Sequence, residues 1–480
     1  MTWLEALSCL AAAGPCASLA SLCLGRRPAK VEVCQMLMNL DLNRVDQPAG
    51  RCNDTPPGIA PREDDPRLFT WSEDRVNLVV LFLLAWCLRV GLAAWAGLDH
   101  IEGADAWVYY SEAAGLVEGR GLVRNLPNGS PHLSALNMPL TPLLLACGMK
   151  VFGTTATVSR MVAISISSLA APLMYLIAGT IMPRRWALLA GLGCAIHPTF
   201  LFYSIETLTE PFYIPFLFLA VFMTVRAMRR RDLATGFTAG VAWGLAVLCR
   251  PHALPAAVLL ALSMGLPLRS WRPVLGLTLG TVLILTPWST RNFLVFGKPV
   301  LLSLEGGETF LGANNPYVVR DPELAGMWIA PMGIQEYRAR MIQCHNELEI
   351  NDALMRISLD YLRGHPQVIP RLVFNKWTRW LTPITQSGGL TRLIVLCTYG
   401  VLLALVAVGV VFGTVRYSPL LLATLAITLA DFTLVGLFWG NLTRGRIPLE
   451  LIWLPWGVQT VRLLVVAPIA SWYRGRMGWE

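Results

Sequence analysis

The chain has 480 residues, of which 55% are hydrophobic and only 14% charged. Soluble globular domains carry about 25% charged residues, so this composition excludes an ordinary soluble domain and points to an integral membrane protein. The formal net charge of +9 reads as cytoplasmic loops and lipid headgroups rather than as a nucleic-acid surface.

Residues 1–75 read as a disordered or mis-started N-terminal tail. Leu4–Leu24 is apolar, but Glu5 interrupts it and no basic stretch precedes it, which makes a poor signal peptide. Asn39–Arg67 is rich in Pro, Asp and Arg. Five of the 11 cysteines (Cys9, Cys16, Cys23, Cys34, Cys52) crowd this tail. The others are scattered singly, mostly in apolar runs, and form neither a disulfide framework nor a metal motif.

From Val76 onward the chain is built of apolar runs of about 20 residues, the length that crosses a bilayer. They are Val76–Leu98, Val158–Ile181, Trp186–Tyr203, Thr209–Met228, Leu233–Leu248, His252–Leu268, Pro273–Trp288, Leu390–Val415, Leu420–Trp439 and Leu449–Ala470. The basic clusters "PRRW", "RAMRRRD" and "RSWRP" follow the second, fourth and sixth runs. The positive-inside rule puts all three in the cytoplasm. Pro139–Gly153, "PLTPLLLACGMKVFG", is short for a span and contains Lys150. A full crossing there would invert every later loop, so it reads as an interfacial or re-entrant helix. The expected fold is therefore an all-α polytopic membrane protein of about ten transmembrane helices with outer-face amphipathic helices. Two long loops, Asp99–Met138 and Arg291–Gly389, face out. The second holds an amphipathic pattern at Tyr337–Leu362 and interfacial Trp377 and Trp380.

Charges that topology does not require gather at that outer boundary: Arg250, Arg291, Arg444 and Arg446, with Asp105, Glu206 and Glu210 opposed to them. The planar guanidinium fork suits phosphate, although arginines also snorkel to the interface without function. Acids at a membrane boundary are candidate functional groups, or merely ion-pair partners. Together they fit transfer of a sugar from a lipid phosphate, which needs a base for the acceptor hydroxyl and cations for the departing phosphate.

Four stretches carry a resemblance: "DAWVYYSEAAGLVEGRG" (Asp105–Gly121), "MPLTPLLLACGMKVFG" (Met138–Gly153), "FYSIETLTEPFY" (Phe202–Tyr213), and "TPWSTRNFLVFGKPV" (Thr286–Val300) followed by "GGETFLGANNP" (Gly306–Pro316). "GRIPLE" (Gly445–Glu450) adds a weaker fifth. The chain resembles bacterial GT-C glycosyltransferases of the family 39 type, which include protein O-mannosyltransferases and lipid A aminoarabinose transferases. The resemblance spans roughly Val76–Ala470. It departs from the family at Ala106, Asn137, Met138 and Gly445, where relatives carry other residues. It implies a GT-C bundle and a polyprenyl-phosphate sugar donor. It also implies Asp105 as the base, Glu210 as a second acid and Arg291 as a ligand of the donor phosphate. With the motif residues Tyr109 and Asn292 and the boundary residues Arg250, Arg444 and Arg446, these make up the expected substrate-binding set.

The implied division of the chain is a catalytic transmembrane module at 76–290, an extracytoplasmic loop at 291–389 and C-terminal transmembrane helices at 390–480. The implied location is the plasma (inner) membrane, with the active site facing the periplasm or exterior. No cofactor and no metal is expected, because His132, His252 and His345 lack ligand spacing. Gly306, Gly307 and Gly312 do not make a nucleotide loop. "NGS" at Asn128–Ser130 matches a glycosylation sequon only on an outer loop. Asp431 reads as a helix-bonding group. The competing readings are a secondary transporter, disfavoured because no internal repeat is visible, and a non-catalytic lipid-binding protein. The sequence leaves the sugar, the acceptor and the oligomeric state open.

Overall fold

A computed structural model describes residues 71–268, 270–383, 389–439 and 443–469. Of the tail read at residues 1–75, residues 1–70 lie outside them, and residues 71–75 are helical as the start of α1. In chain order the helices are α1 (Trp71–Ala96), α2 (Ala104–Val117), α3 (Leu140–Phe152), α4 (Ala156–Ser167), α5 (Ala170–Ala178), α6 (Arg184–Ile196), α7 (Pro198–Tyr203), α8 (Glu210–Arg230), α9 (Leu233–Cys249), α10 (Ala253–Leu268) and α11 (Arg272–Phe296). They continue as α12 (Gly306–Ala313), α13 (Pro316–Arg320), α14 (Gln335–Ile342), α15 (Glu347–Gly364), α16 (Ile369–Leu381), α17 (Gly389–Val395), α18 (Val401–Val411), α19 (Pro419–Leu437) and α20 (Thr443–Val461). The described strands form one antiparallel hairpin, β1 (Val123–Asn125) with β2 (Pro131–Leu133), pairing Val123 with Leu133 and Asn125 with Pro131.

Among the described residues seven helical stretches are long and apolar enough to cross a membrane, and α3, α9 and α10 are shorter apolar helices. The ten expected runs all fall on helices, but the second and third are interrupted, as is the eighth, by a π-helical turn at Leu396–Gly400 between α17 and α18. Ser167 and Ser168 hydroxyls bond back to the Ile164 carbonyl at 3.0 and 2.7 Å. This back-bonding marks the joint between α4 and α5. The third run breaks at His197, because Pro198 disfavours helical backbone in the residue before it and cannot itself donate to the ladder. The His197 ring accepts from the Phe200 N–H instead, at 3.4 Å.

The apolar helix α9 is held against α11 by close backbone approach. A Cβ at Gly236 or Gly240 would strike the backbone of Pro273 or Leu277 on α11. One at Gly276 or Gly280 would strike the backbone of α9 in return. Two small-residue stripes spaced by four thus interlock, the packing that replaces the hydrophobic effect where helices meet in lipid.

One end of the bundle collects the basic clusters. Arg184 lies 3.2 Å from buried Asp74 at the start of α1, and Arg229 donates to the Thr180 carbonyl at 2.7 Å. Pro273, next to Arg272, packs on Gly236 at the start of α9. The opposite end holds both flanks of α3. Tyr110 on α2 donates to the Thr154 carbonyl at 3.2 Å, and Arg160 on α4 donates to the Gly97 carbonyl after α1. Helix α3 therefore enters and leaves at one end and does not cross the bundle.

The long second loop folds over that end. Glu347, at the start of α15, accepts from Ser134 at 2.7 Å and from the Ala135 N–H at 2.8 Å, and meets His132 at 3.0 Å. Burial pushes the Glu347 carboxyl up, but these bonds outweigh it and hold it below the ordinary value. Lys376 on α16 is fully buried and donates to Asn314 at 2.7 Å and to the Gly436 and Leu437 carbonyls at 3.2 Å. A cation on the last carbonyls of α19 suits the helix dipole.

Candidate active site

Gly103 adopts φ 89° and ψ 150° before α2, a conformation that favours glycine. Asp105 then falls in the first turn, where the helix dipole favours an anion. Asp105, Tyr109 and Glu112 recur at helical spacing and share a face of α2. Glu210 occupies the equivalent first-turn position of α8. Arg250 caps the C-terminal end of α9, where a cation is favoured, and Arg444 lies in the first turn of α20.

Three-dimensional folding draws these four residues into one network. Arg444 Nη2 lies 2.5 Å from Asp105 Oδ2, and its Nε lies 3.8 Å from Glu210 Oε1. Arg250 Nη2 lies 2.5 Å from the same Glu210 oxygen, and its Nε donates to Thr209 Oγ1 at 2.6 Å. The Glu210 side chain is fully buried, whereas that of Asp105 is 54% exposed. Glu210 is thus the anchor of both arginines and Asp105 the carboxylate in reach of a ligand. Arg444 donates a hydrogen bond to Asp105, turns its Nε towards Glu210 and borders the cavity.

The network borders a cavity of about 590 Å³. Asp105, Tyr109, Arg250 and Arg444 form part of its wall. Further groups not singled out in the sequence join them: Arg124 on β1, Glu305 and Glu308 from the second loop, and the rings of Trp328 and Trp439. The cavity is therefore assembled from all three segments into which the sequence divides, and no single one contains it. Glu305 stands at the N-cap of α12 and Glu308 lies in its first turn, where only loop closure brings them to the site; the motif stretch holding Glu308 does not mark it as a site residue.

The electrostatics separate these acids. The Glu305 side chain opens onto the cavity yet lies deep within the protein, and this enclosure together with neighbouring Glu308 raises its carboxyl above the ordinary range, against the pull of Arg250 and Arg444. Glu308 is raised by enclosure too, with Arg124 opposing. Burial raises the Tyr109 hydroxyl well above its ordinary value, with Glu305 adding to it, so the phenol stays a donor. Glu112, buried behind Tyr109, is raised to about 7 by burial, although Arg124 and a 3.1 Å bond from Asn137 lower it. Glu206 forms a buried two-oxygen pair with Arg160 at 2.8 and 2.9 Å, which makes it a strut between α4 and the loop before α8.

Four residues of the expected set do not line the cavity: Glu210, fully buried and holding both arginines, and Arg291, Asn292 and Arg446. Arg291 donates to the Ser134 carbonyl at 2.8 Å and to Asn292 at 2.9 Å, with its guanidinium 5.1 Å from the Trp288 ring centre. Asn292 is fully buried and donates to the Val300 and Leu302 carbonyls at 3.2 and 3.3 Å. This pair fastens the first outer loop and the chain after α11. Arg446 points into the bundle, 2.5 Å from Glu450, donating to the Trp380 and Thr382 carbonyls and stacked 3.7 Å from the Tyr399 ring centre. Two residues along a helix turn about 200°, so Arg444 and Arg446 face apart. Among the described residues no group of three or more His, Cys, Asp or Glu side chains is arranged to hold a metal ion.

Residues 136–290, less than half of the chain, match the family model described as dolichyl-phosphate-mannose-protein mannosyltransferase. No curated protein matches the chain. Among solved structures, the chain is similar to the oligosaccharyltransferase of Archaeoglobus fulgidus in its apo form, at 15% identity and a TM-score of 0.53 over 84% of this chain and 52% of that one. The same enzyme tethered with an acceptor peptide containing the NVT sequon gives 15% identity and a TM-score of 0.52, over 85% and 51% of the two chains. ArnT from Cupriavidus metallidurans bound to undecaprenyl phosphate gives 15% identity and a TM-score of 0.37, over 82% and 78%. The chain spans about half the length of the oligosaccharyltransferase it matches. At these identities the likeness concerns the fold alone, and that fold is the all-α GT-C membrane bundle.

Proposed function

We propose that this protein is a membrane glycosyltransferase that moves a sugar from a polyprenyl-phosphate donor to a hydroxyl acceptor. The observation that carries the reading is the Asp105–Arg444–Glu210–Arg250 network, whose Asp105, Arg250 and Arg444 line a cavity at the end of the bundle opposite the basic clusters while buried Glu210 backs them. A lipid phosphate at headgroup depth meets two arginines there, and a sugar beyond it meets the aromatic and acidic walls. The family model matched by residues 136–290, whose description names dolichyl-phosphate-mannose, supports the same donor class.

In this mechanism Arg250 and Arg444 bind the donor phosphate and stabilise the charge that develops on it as the glycosidic bond breaks. The phosphate competes with Asp105 for Arg444 and frees the carboxylate to take the acceptor proton. The acceptor attacks the face opposite the departing phosphate, so the anomeric centre inverts. Glu210 stays buried and holds both arginines in register; Tyr109 donates to the bound sugar or phosphate. Arg291, Asn292 and Arg446 serve the scaffold. The basic clusters lie in the cytoplasm, the protein resides in the plasma (inner) membrane, and the cavity opens to the outside.

The test is to incubate the purified protein with a panel of polyprenyl-phosphate sugars and measure release of polyprenyl phosphate. Release from at least one donor, abolished by Asp105→Asn, supports the reading. No release from any donor together with no binding of polyprenyl phosphate overturns it.

A further inference from the structure

His252 follows Pro251 in the turn between α9 and α10 and forms part of the cavity wall. It is 92% buried, being 8% exposed, and its ring makes no hydrogen bond with any described residue. Such a buried polar group normally has a partner. Its orientation is nevertheless fixed. The Tyr213 ring centre lies 4.9 Å away at 67°, and the Trp439 ring centre 5.0 Å away at 80°. Two edge-to-face contacts clamp the imidazole from α8 and from the end of α19. The Arg250 guanidinium lies 5.8 Å from the same Tyr213 ring centre. Arg250 and His252 thus pack around one tyrosine and border one cavity, two residues apart, with the Arg250 fork committed in part to Thr209 and Glu210.

We propose that His252 is a further substrate-contacting residue of the glycosyl transfer: its ring N–H donates to a phosphate oxygen of the lipid-linked donor beside Arg250. The inference rests on the reading above. A phosphate offers only acceptors to the wall around it, and His252 is the cavity-wall group near Arg250 that is buried, oriented and without a bond to spend its N–H on. During the reaction the acceptor oxygen bonds to the anomeric carbon and the carbon–oxygen bond to phosphate breaks. The electron pair stays on the phosphate oxygen, and the acceptor proton goes to Asp105. His252 keeps its proton throughout and stabilises the departing phosphate by its hydrogen bond.

The experiment compares binding of a polyprenyl phosphate with binding of the polyprenyl alcohol of the same length, in the purified full-length protein and in His252→Phe and His252→Gln. Phenylalanine keeps the ring contacts with Tyr213 and Trp439; glutamine keeps an N–H donor. Hydrogen bonds to charged groups are worth about tenfold in affinity or more. His252→Phe should bind the phosphate about tenfold more weakly and the alcohol unchanged, and His252→Gln should recover most of the loss. Unchanged phosphate binding by His252→Phe overturns the inference while leaving the proposed function standing. So does an equal loss for phosphate and alcohol, which would assign His252 to packing. Failure of the wild-type protein to prefer the phosphate over the alcohol removes the proposed function, and this inference with it.

Discussion

Arg444 stands between two carboxylates of different kinds, 2.5 Å from half-exposed Asp105 and 3.8 Å from fully buried Glu210. The buried acid fixes the guanidinium and the exposed one is available to a substrate. Asp105→Asn keeps the shape and a hydrogen-bond acceptor but cannot take a proton. General-base contributions are typically about 10²–10⁴-fold. Sugar transfer should therefore fall by at least about 100-fold, with polyprenyl-phosphate affinity within a few-fold of wild type. Near-normal transfer would remove Asp105 as the base.

Glu210 depends on Arg250. Arg250→Ala leaves a fully buried carboxylate without its 2.5 Å partner, a change that typically costs about 3–5 kcal/mol. Arg250→Ala should unfold at markedly lower temperature, and adding Glu210→Gln should restore much of the stability while transfer stays lost. If the double variant is no more stable than the single one, the pair is not coupled as the geometry requires.

Arg291 separates scaffold from site. It holds the Ser134 carbonyl at 2.8 Å and lies off the cavity wall. Arg291→Lys keeps the charge but loses the geometry of the fork. Protease sensitivity of the first outer loop should rise, and affinity for polyprenyl phosphate should stay within about twofold, since the substrate loses no contact. A large and selective loss of phosphate affinity would return Arg291 to the donor site.

Glu112 predicts a pH dependence. Its native value of about 7 is above the ordinary 4.5 because the carboxyl is buried. Between those limits the native state holds a proton that the unfolded chain has released, so stability falls as pH rises through the window and levels off above it. The full penalty is about 3 kcal/mol above pH 7. Glu112→Gln should leave the unfolding temperature at pH 5 nearly unchanged, raise it at pH 8, and flatten the profile between. An identical profile in the variant would place the titration elsewhere.

Gly240 tests the interlocked helices. A side chain there meets the Leu277 backbone, which cannot rotate away. Gly240→Leu should disrupt the α9–α11 contact, whereas Gly265→Leu, with open space around its Cβ position, should not. Thermal unfolding of the two variants in one detergent checks the difference.

The sequence by itself disclosed the membrane class, the ten apolar runs, the non-crossing of Pro139–Gly153 and the position of Asp105, Glu210, Arg250 and Arg444 at the ends of apolar helices, because hydropathy and charge along a chain report directly on lipid and water. Only the tertiary structure decided which boundary charges meet. Arg444 and Arg446 read alike in a motif, but the helix turns them in opposite directions, one to the cavity and one to Glu450. Arg291 was legible as an outer arginine, yet its partner is a backbone carbonyl 157 positions away. Glu308 lies in a motif stretch and the spacing of His252 bears only on a metal, while Glu305 and Arg124 carry no pattern, and nothing local assigns any of them to the cavity. They reach the cavity through loop closure and helix packing, and the long-range contacts that place them have no signature in local periodicity.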